Sequence, residues 1–158
     1  MKNNHLNDSG DLHMVDISKK EITVRESKAS GVITLNKDAF ESIHNRSNKK
    51  GDVLNTARLA GINAIKATSS LIPLAHTIQI STASVSFSVD EHACKIISTV
   101  SVKSEGKTGV EIEALVGVQI SLMTIYDMCK YLDRSMVIND IKLLSKTGGK
   151  SGAFERGE

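Results

Sequence analysis

Thirteen consecutive uncharged residues, Ala114 to Tyr126, lie between Glu113 and Asp127, and this run limits the fold more than any other feature of the chain. Leu, Val, Ile, Met and Ala fall on every side of a helix drawn through it, so the helix has to be buried all round. The helical context continues to about Leu132. The run is too short to span a bilayer, which takes about 20 apolar residues. It calls instead for a sheet on one face and a second subunit on the other, and association between copies of the chain is predicted.

The remaining pattern supplies that sheet. Val32-Ile33-Thr34-Leu35, entered from Gly31, is a short β-branched strand, and Asn36 after it is a good N-cap for a helix through Ile43. A polar, basic link from Asn45 to Lys50 leads to Gly51-Asp52, which opens a second helix to about Leu71. Its Val53, Leu54, Ala57, Ala60, Ala64 and Ile65 recur at three- and four-residue steps. Pro73, the only proline, ends that stretch. Ala83, Val85, Phe87 and Val89 alternate with serines, a period of two, and after the turn Asp90-Glu91-His92 a second strand carries Ile96, Ser98, Val100 and Val102 inward, its odd-numbered face being the wetter one. A last strand covers Met136 to Leu144. The order predicts an α+β fold, a ferredoxin-like β-α-β-β-α-β sandwich with helices on one face of an antiparallel sheet. One domain accounts for residues 1–158, with flexible ends at 1–12 and in the glycine-rich tail 147–158.

Composition excludes several functions. Twenty Lys and Arg against 18 Asp and Glu give a net charge of +2, far from the excess of a non-specific nucleic-acid binder. Three Phe, two Tyr and no Trp leave little to stack on bases, and Phe87 is the only aromatic residue on the predicted strand faces, against an RNA-binding module. Cys94 and Cys129 lack metal-ligand spacing, and the polar stretch Met1 to Gly10 has no apolar core of a signal peptide. A reducing cytoplasm, free thiols and no membrane attachment are expected.

Individual residues suggest chemistry less sharply. Gly106-Lys107-Thr108 and Gly149-Lys150-Ser151 end like a P-loop, but the earlier glycine is replaced by Ser101 and Leu144, so an NTPase is a poor reading. Residues 106–109 nonetheless join a strand to a helix N-terminus, where free N–H groups favour an anion; an ordinary turn would look the same. Glu111 and Glu113 point roughly 200° apart on an undistorted helix and cannot face one ligand; acidic partners for the helix dipole are the plain explanation. Asp127 and Lys130 are three apart, hence neighbours on one face. Either they are a surface ion pair, or a partly buried Asp beside a Lys holds an acid and a base with shifted pKa values. Glu113 and Asp127 are separated by about 21 Å of helix, so either the ligand is long or different subunits supply the two ends. His76 at a helix exit is an ordinary hydrogen-bonded histidine or a proton carrier. His13 and Asp16 lack a third ligand at useful spacing, so no metal site is expected. Lys49-Lys50-Gly51 before a helix start could grip phosphate or remain a solvated loop.

Seven strings carry a resemblance. HMVDIS (His13–Ser18), VRE (Val24–Glu26), KKGDVLNTARLAGI (Lys49–Ile62), LIPLAH (Leu71–His76), GKTGVEIEAL (Gly106–Leu115), TIYDMCK (Thr124–Lys130) and KTGGKSG (Lys146–Gly152) together resemble the MoaC family, in the family's order and across almost the whole chain. The resemblance implies a cyclic pyranopterin monophosphate synthase of molybdenum cofactor biosynthesis. Such an enzyme rearranges 3′,8-cyclo-7,8-dihydroguanosine 5′-triphosphate, a cyclised GTP derivative, and releases diphosphate without a metal or organic cofactor. It implies catalytic roles for Asp127, Lys130 and Lys50, substrate contacts at Leu74, Ala75, His76, Ile112 and Glu113, and pocket positions for Glu111, Arg25, Asp16, Lys66 and Lys146. A homohexamer, a trimer of dimers with sites at a subunit interface, is implied as well. The chain departs from the family where LCHP reads Leu74-Ala75-His76-Thr77, which removes a thiol and frees a backbone that proline would fix. Slower or weaker substrate handling, or at the extreme an impaired paralogue kept for binding or assembly, is the alternative that this loop raises.

Overall fold

The serine-and-valine alternation forms the hairpin it predicts. β2 (Ile80–Asp90) pairs antiparallel with β3 (Lys95–Gly106), Val85 opposite Val100 and Val89 opposite Ile96. In the computed structural model, which describes residues 5–157, these strands join β1 (Thr23–Thr34), β4 (Val137–Thr147) and β5 (Phe154–Glu155) in an antiparallel sheet of order β2-β3-β1-β4-β5. Three helices, α1 (Lys37–His44), α2 (Val53–Leu71) and α3 (Glu111–Cys129), complete the ferredoxin-like sandwich. Side chains capped at the expected places start two of them: Asn36 Oδ1 accepts the Ala39 N–H at 2.9 Å and Asp52 Oδ1 the Asn55 N–H at 3.0 Å.

Three boundaries differ from the sequence reading. β1 begins at Thr23 rather than Gly31, because a central strand flanked by β3 and β4 draws its backbone partners from both sides and needs no apolar run; Arg25 pairs with Ser104 and Ala29 with Val100. α3 stops at Cys129 rather than near Leu132. Its last carbonyls are turned over to Leu132 and Asp133, and the buried Asp133 carboxylate takes the Asn36 N–H at 2.7 Å and the Ser135 N–H at 2.8 Å, fixing the exit. β4 runs three residues beyond Leu144 to Thr147, and the positive-φ Gly148 and Gly149 fold the tail back so that Phe154 pairs with Lys146, a strand that the glycines concealed.

α3 packs its inner faces as the uncharged run requires. Val118, Leu122 and Ile125 are fully buried over Ala29, Ile33, Ile96 and Val100 of the sheet. Against α2 the approach is close: a Cβ on Gly117 would stand 2.8 Å from Ile65, and one on Gly61 would stand 3.1 Å from the Gly117 carbonyl. Burial all round is not reached within one chain. An outer stripe of Ile120, Met123, Asp127 and Lys130 lies open, with Met123 55% exposed. By length and composition alone the 19-residue helix could cross a membrane; its buried residues mark it as the core helix of this sandwich.

Candidate active site

The outer stripe of α3 ends in three charges. Lys130 Nζ lies 2.7 Å from Asp127 Oδ1, the i, i+3 pair that the spacing allows, and Lys50 Nζ approaches Oδ2 at 3.5 Å from the link before α2. Lys50 Nζ also donates to the Asp127 backbone carbonyl at 2.8 Å, one of the orphan acceptors at a helix C-terminus, so the same contact caps the helix and places the ammonium. Of the two readings that the spacing left open, the exposed pair holds: the Asp127 side chain is 59% exposed. The shift in its pKa therefore comes from charge and not from burial. The hydrogen bond and charge of Lys130, then the charge of Lys50, hold the carboxyl below the usual aspartate range, so it stands as a carboxylate between two ammonium groups.

The other end of α3 faces two half-open clefts. Residues 13–22 cross in front of it as a strap, tied by the His76 Nε2–H donating to the Val15 carbonyl at 2.8 Å and by Lys107 Nζ donating to the Ser18 carbonyl. Asp16 Oδ1 accepts the Ser18 N–H at 2.8 Å, and that bond lowers its pKa. Between strap, sheet and helix lies a cavity of about 1190 Å³ lined by Asp16, Arg25, Glu111 and Lys146, together with Lys19, Lys20, Lys107 and Lys150. Arg25 donates Nε–H to the Gly106 carbonyl at 3.3 Å, and Gly149 passes its guanidinium at φ +80°, a conformation that favours glycine. Lys146 Nζ stands 3.6 Å from Glu111. The surplus of cations over the carboxylates of Asp16, Glu21 and Glu111 makes the cavity a place for a polyanion.

A second cavity of about 290 Å³ adjoins the first through Val15, Lys20, Thr108 and Gly109, and is lined by Leu74, Ala75, His76, Ile112 and Glu113. Glu111 and Glu113 thus serve different cavities, as their angular separation demands. Glu113 is only 3% exposed; burial pushes its pKa up, and the charge of Glu111 adds to that. With Nε2 donating to Val15, Nδ1 of a neutral His76 is the nitrogen left to accept a proton.

Within one chain the sites suggested by sequence therefore fall into two groups, separated by about 21 Å along α3. Lys66 joins neither: it is exposed on α2 and lines neither cavity. Lys19 and Lys20 were missed by the residue-level reading, because the strap has no periodicity to mark which of its side chains turn inward; their adjacency to Asp16 was the only signal.

The MoaC family model matches residues 14–149, which include the strap from Met14 on, most of the lining of both cavities and the Lys50–Asp127–Lys130 cluster. The chain belongs to the MoaC family. Its similarity to individual members is near full length. A cyclic pyranopterin monophosphate synthase of Campylobacter jejuni is 52% identical over 159 residues, covering 99% of each chain. One of Helicobacter hepaticus is 51% identical over 156 residues, 99% of this chain and 98% of the relative, and one of Clostridium acetobutylicum is 47% identical over 152 residues, 96% and 94% respectively.

Proposed function

We propose that this MoaC-family protein is a phosphorus–oxygen lyase that converts 3′,8-cyclo-7,8-dihydroguanosine 5′-triphosphate to cyclic pyranopterin monophosphate and diphosphate in molybdenum cofactor biosynthesis. Family membership and the shared name of its relatives support the reaction. The observation that carries the assignment of roles is the Asp127 carboxylate held between Lys130 and Lys50. Opening the purine imidazole ring and closing the pyran require protons moved on and off nitrogen and oxygen, which a carboxylate base beside two ammonium acids performs. Diphosphate leaves with negative charge that Lys50, Lys130 and the cations of the larger cavity stabilise. Leu74, Ala75, His76, Ile112 and Glu113 contact the substrate from the smaller cavity, while Arg25, Lys146, Glu111 and Asp16 order the phosphate side. The chemistry calls for no cofactor.

A second copy of the chain completes the site. Ile120 and Met123 lie exposed on the stripe that leads to Asp127, so a subunit laid over them borders the catalytic charges and removes them from water. Arranged as a trimer of dimers, the hexamer places the C-terminal cluster of one α3 near the N-terminal cavities of another, which resolves the 21 Å separation, and gives exposed Lys66 a site to reach into. The substrate is a small molecule, neither nucleic acid nor membrane is a partner, and the protein works in the cytoplasm.

Incubation of the purified protein with the cyclised GTP substrate tests the reading. Diphosphate and the oxidised, fluorescent pterin are expected together from the wild type and neither from Asp127→Asn. An intact oligomer that yields no product would leave an impaired paralogue as the better description.

A further inference from the structure

Lys50 comes from a loop, and something must hold that loop against α3. Asn48, two residues earlier, is only 7% exposed. Its Oδ1 accepts the Lys50 N–H at 2.9 Å, and its Nδ2 donates to Ser42 Oγ of α1 at 3.2 Å and to Cys129 Sγ of α3 at 3.5 Å. Ser42 Oγ in turn donates to the Ala39 carbonyl at 2.8 Å. The amide therefore has its acceptor and both donors engaged, each to a different element. A parallel contact lies one residue on: the Lys49 N–H donates to the Tyr131 hydroxyl at 3.2 Å, and Lys49 Nζ sits 3.9 Å from the Tyr131 ring centroid.

We propose that Asn48 is a positioning residue for the reaction, its buried amide locking the Lys50 backbone to α1 and to the C-terminus of α3 so that Lys50 Nζ meets Asp127. The inference rests on Lys50 and Asp127 being the reacting pair proposed above. Burial pushes the Cys129 thiol pKa up to about 11, so the sulfur stays neutral and accepts from the amide only weakly, leaving Ser42 as the stronger partner. The tether is short. With Oδ1 bonded to its own i+2 N–H, the amide fixes the turn from which the lysine side chain springs, while Tyr131 fixes the residue between. Displacing a reacting group by about 1 Å costs on the order of a hundredfold in rate.

The test compares wild type, Lys50→Ala, Asn48→Ala, Asn48→Ser and Tyr131→Phe on the cyclised GTP substrate, with kcat and KM measured across pH and melting followed in parallel. Asn48→Ala is expected to lower kcat by at least about tenfold while KM stays within about threefold. The acid limb of its kcat profile should move to higher pH, because among the described residues the only other cation facing Asp127 is Lys130 and a displaced Lys50 no longer helps to hold the carboxyl ionised. Serine keeps an acceptor for the Lys50 N–H but loses the donors to Ser42 and Cys129, so Asn48→Ser should recover only part of the rate. Tyr131→Phe should show a smaller fall, about threefold, with the limb displaced the same way. Wild-type kcat and limb in Asn48→Ala, or in Tyr131→Phe should Asn48→Ala fail to fold, overturn the proposal; so does a loss of rate that follows melting alone with the limb in place. An inactive wild type, or a fully active Lys50→Ala, instead removes the reading on which the proposal stands.

Discussion

The two ends of α3 solve the problem of holding charge in opposite ways. At the N-terminus strap, sheet and tail of one chain line two half-open cavities, Glu113 is buried, and cations from several segments face one space. At the C-terminus the Asp127 carboxylate and its two lysines sit in the open, ordered by mutual attraction and a helix carbonyl. Exposed ion pairs are worth little to stability, at most about 1 kcal/mol. A cluster of that kind at the end of an exposed apolar stripe fits a catalytic role that matures on assembly better than a structural one. Under the proposed function, one chain would supply the binding groups and its neighbour would complete the reacting end.

Removing the charge that distinguishes the C-terminal end should have the largest effect: Asp127→Asn is expected to reduce kcat by about a thousandfold with melting unchanged, within the range that general acid–base groups contribute. Steady-state kinetics and a thermal melt decide it, and a variant that keeps its rate would erase the contrast between the ends. At the N-terminal end, Arg25→Ala or Lys146→Ala should raise KM by about ten- to a hundredfold, the worth of one charge-assisted hydrogen bond, with little change in kcat. A loss confined to kcat there would mean that chemistry also takes place in the larger cavity. Burial at Glu113 makes a weaker, pH-dependent prediction. Its folded pKa is raised, so the stability contributed by the protonated form is complete below its ordinary value of 4.5 and is lost as pH rises through the raised value. Glu113→Gln should therefore melt at the wild-type temperature near about pH 4 and above it near neutrality. The smallest effect is expected from the loop: the double change Ala75→Cys, Thr77→Pro should tighten substrate binding by no more than about threefold, through a pre-set φ before the cavity. Equal affinity in a titration would show that His76 alone matters in that segment.

How far the sequence revealed all this follows from which signals have a period. α2 and the β2–β3 hairpin were legible because Ala57, Ala64 and Ile65, or Val85 and Val100, recur at helical or strand spacing, and α3 because its uncharged run is apolar on every side. The first half of β1 was not, since Arg25, Ser27 and Lys28 look like loop residues until two neighbouring strands claim their backbones. β5 was hidden because Gly148 and Gly149 read as an unstructured tail when their positive φ in fact turns the chain back. Within the site, the Asp127–Lys130 pair followed from an i, i+3 step, whereas its exposure stayed open between two readings: Ile125, Met128 and Cys129 around it are buried, but helical phase carries residue 127 onto the outer stripe with Ile120 and Met123. Lys50, far away in sequence, was tied to Asp127 only through family resemblance, and Asn48 and Tyr131 had no signal at all, because a buried amide and a half-buried phenol in a link look like any polar residues.

Because α3 carries the cavity-lining Glu113 and the ion-paired Asp127 on one rigid rod, its length is also an angle. Each residue added between Glu113 and Asp127 would turn the second about 100° around the axis relative to the first, sending the carboxylate from the outer stripe toward α2 or the sheet. Insertions and deletions in this helix are therefore confined to steps near whole turns, and even these would lengthen or shorten the rod by about 5.4 Å and misplace one end against its neighbour. The close pass of Gly117 beside Ile65 narrows the choice further, since sliding the helix would bring a side chain with a Cβ to that contact. Point substitution remains open to the catalytic groups of this chain, but the count of residues that separates them does not.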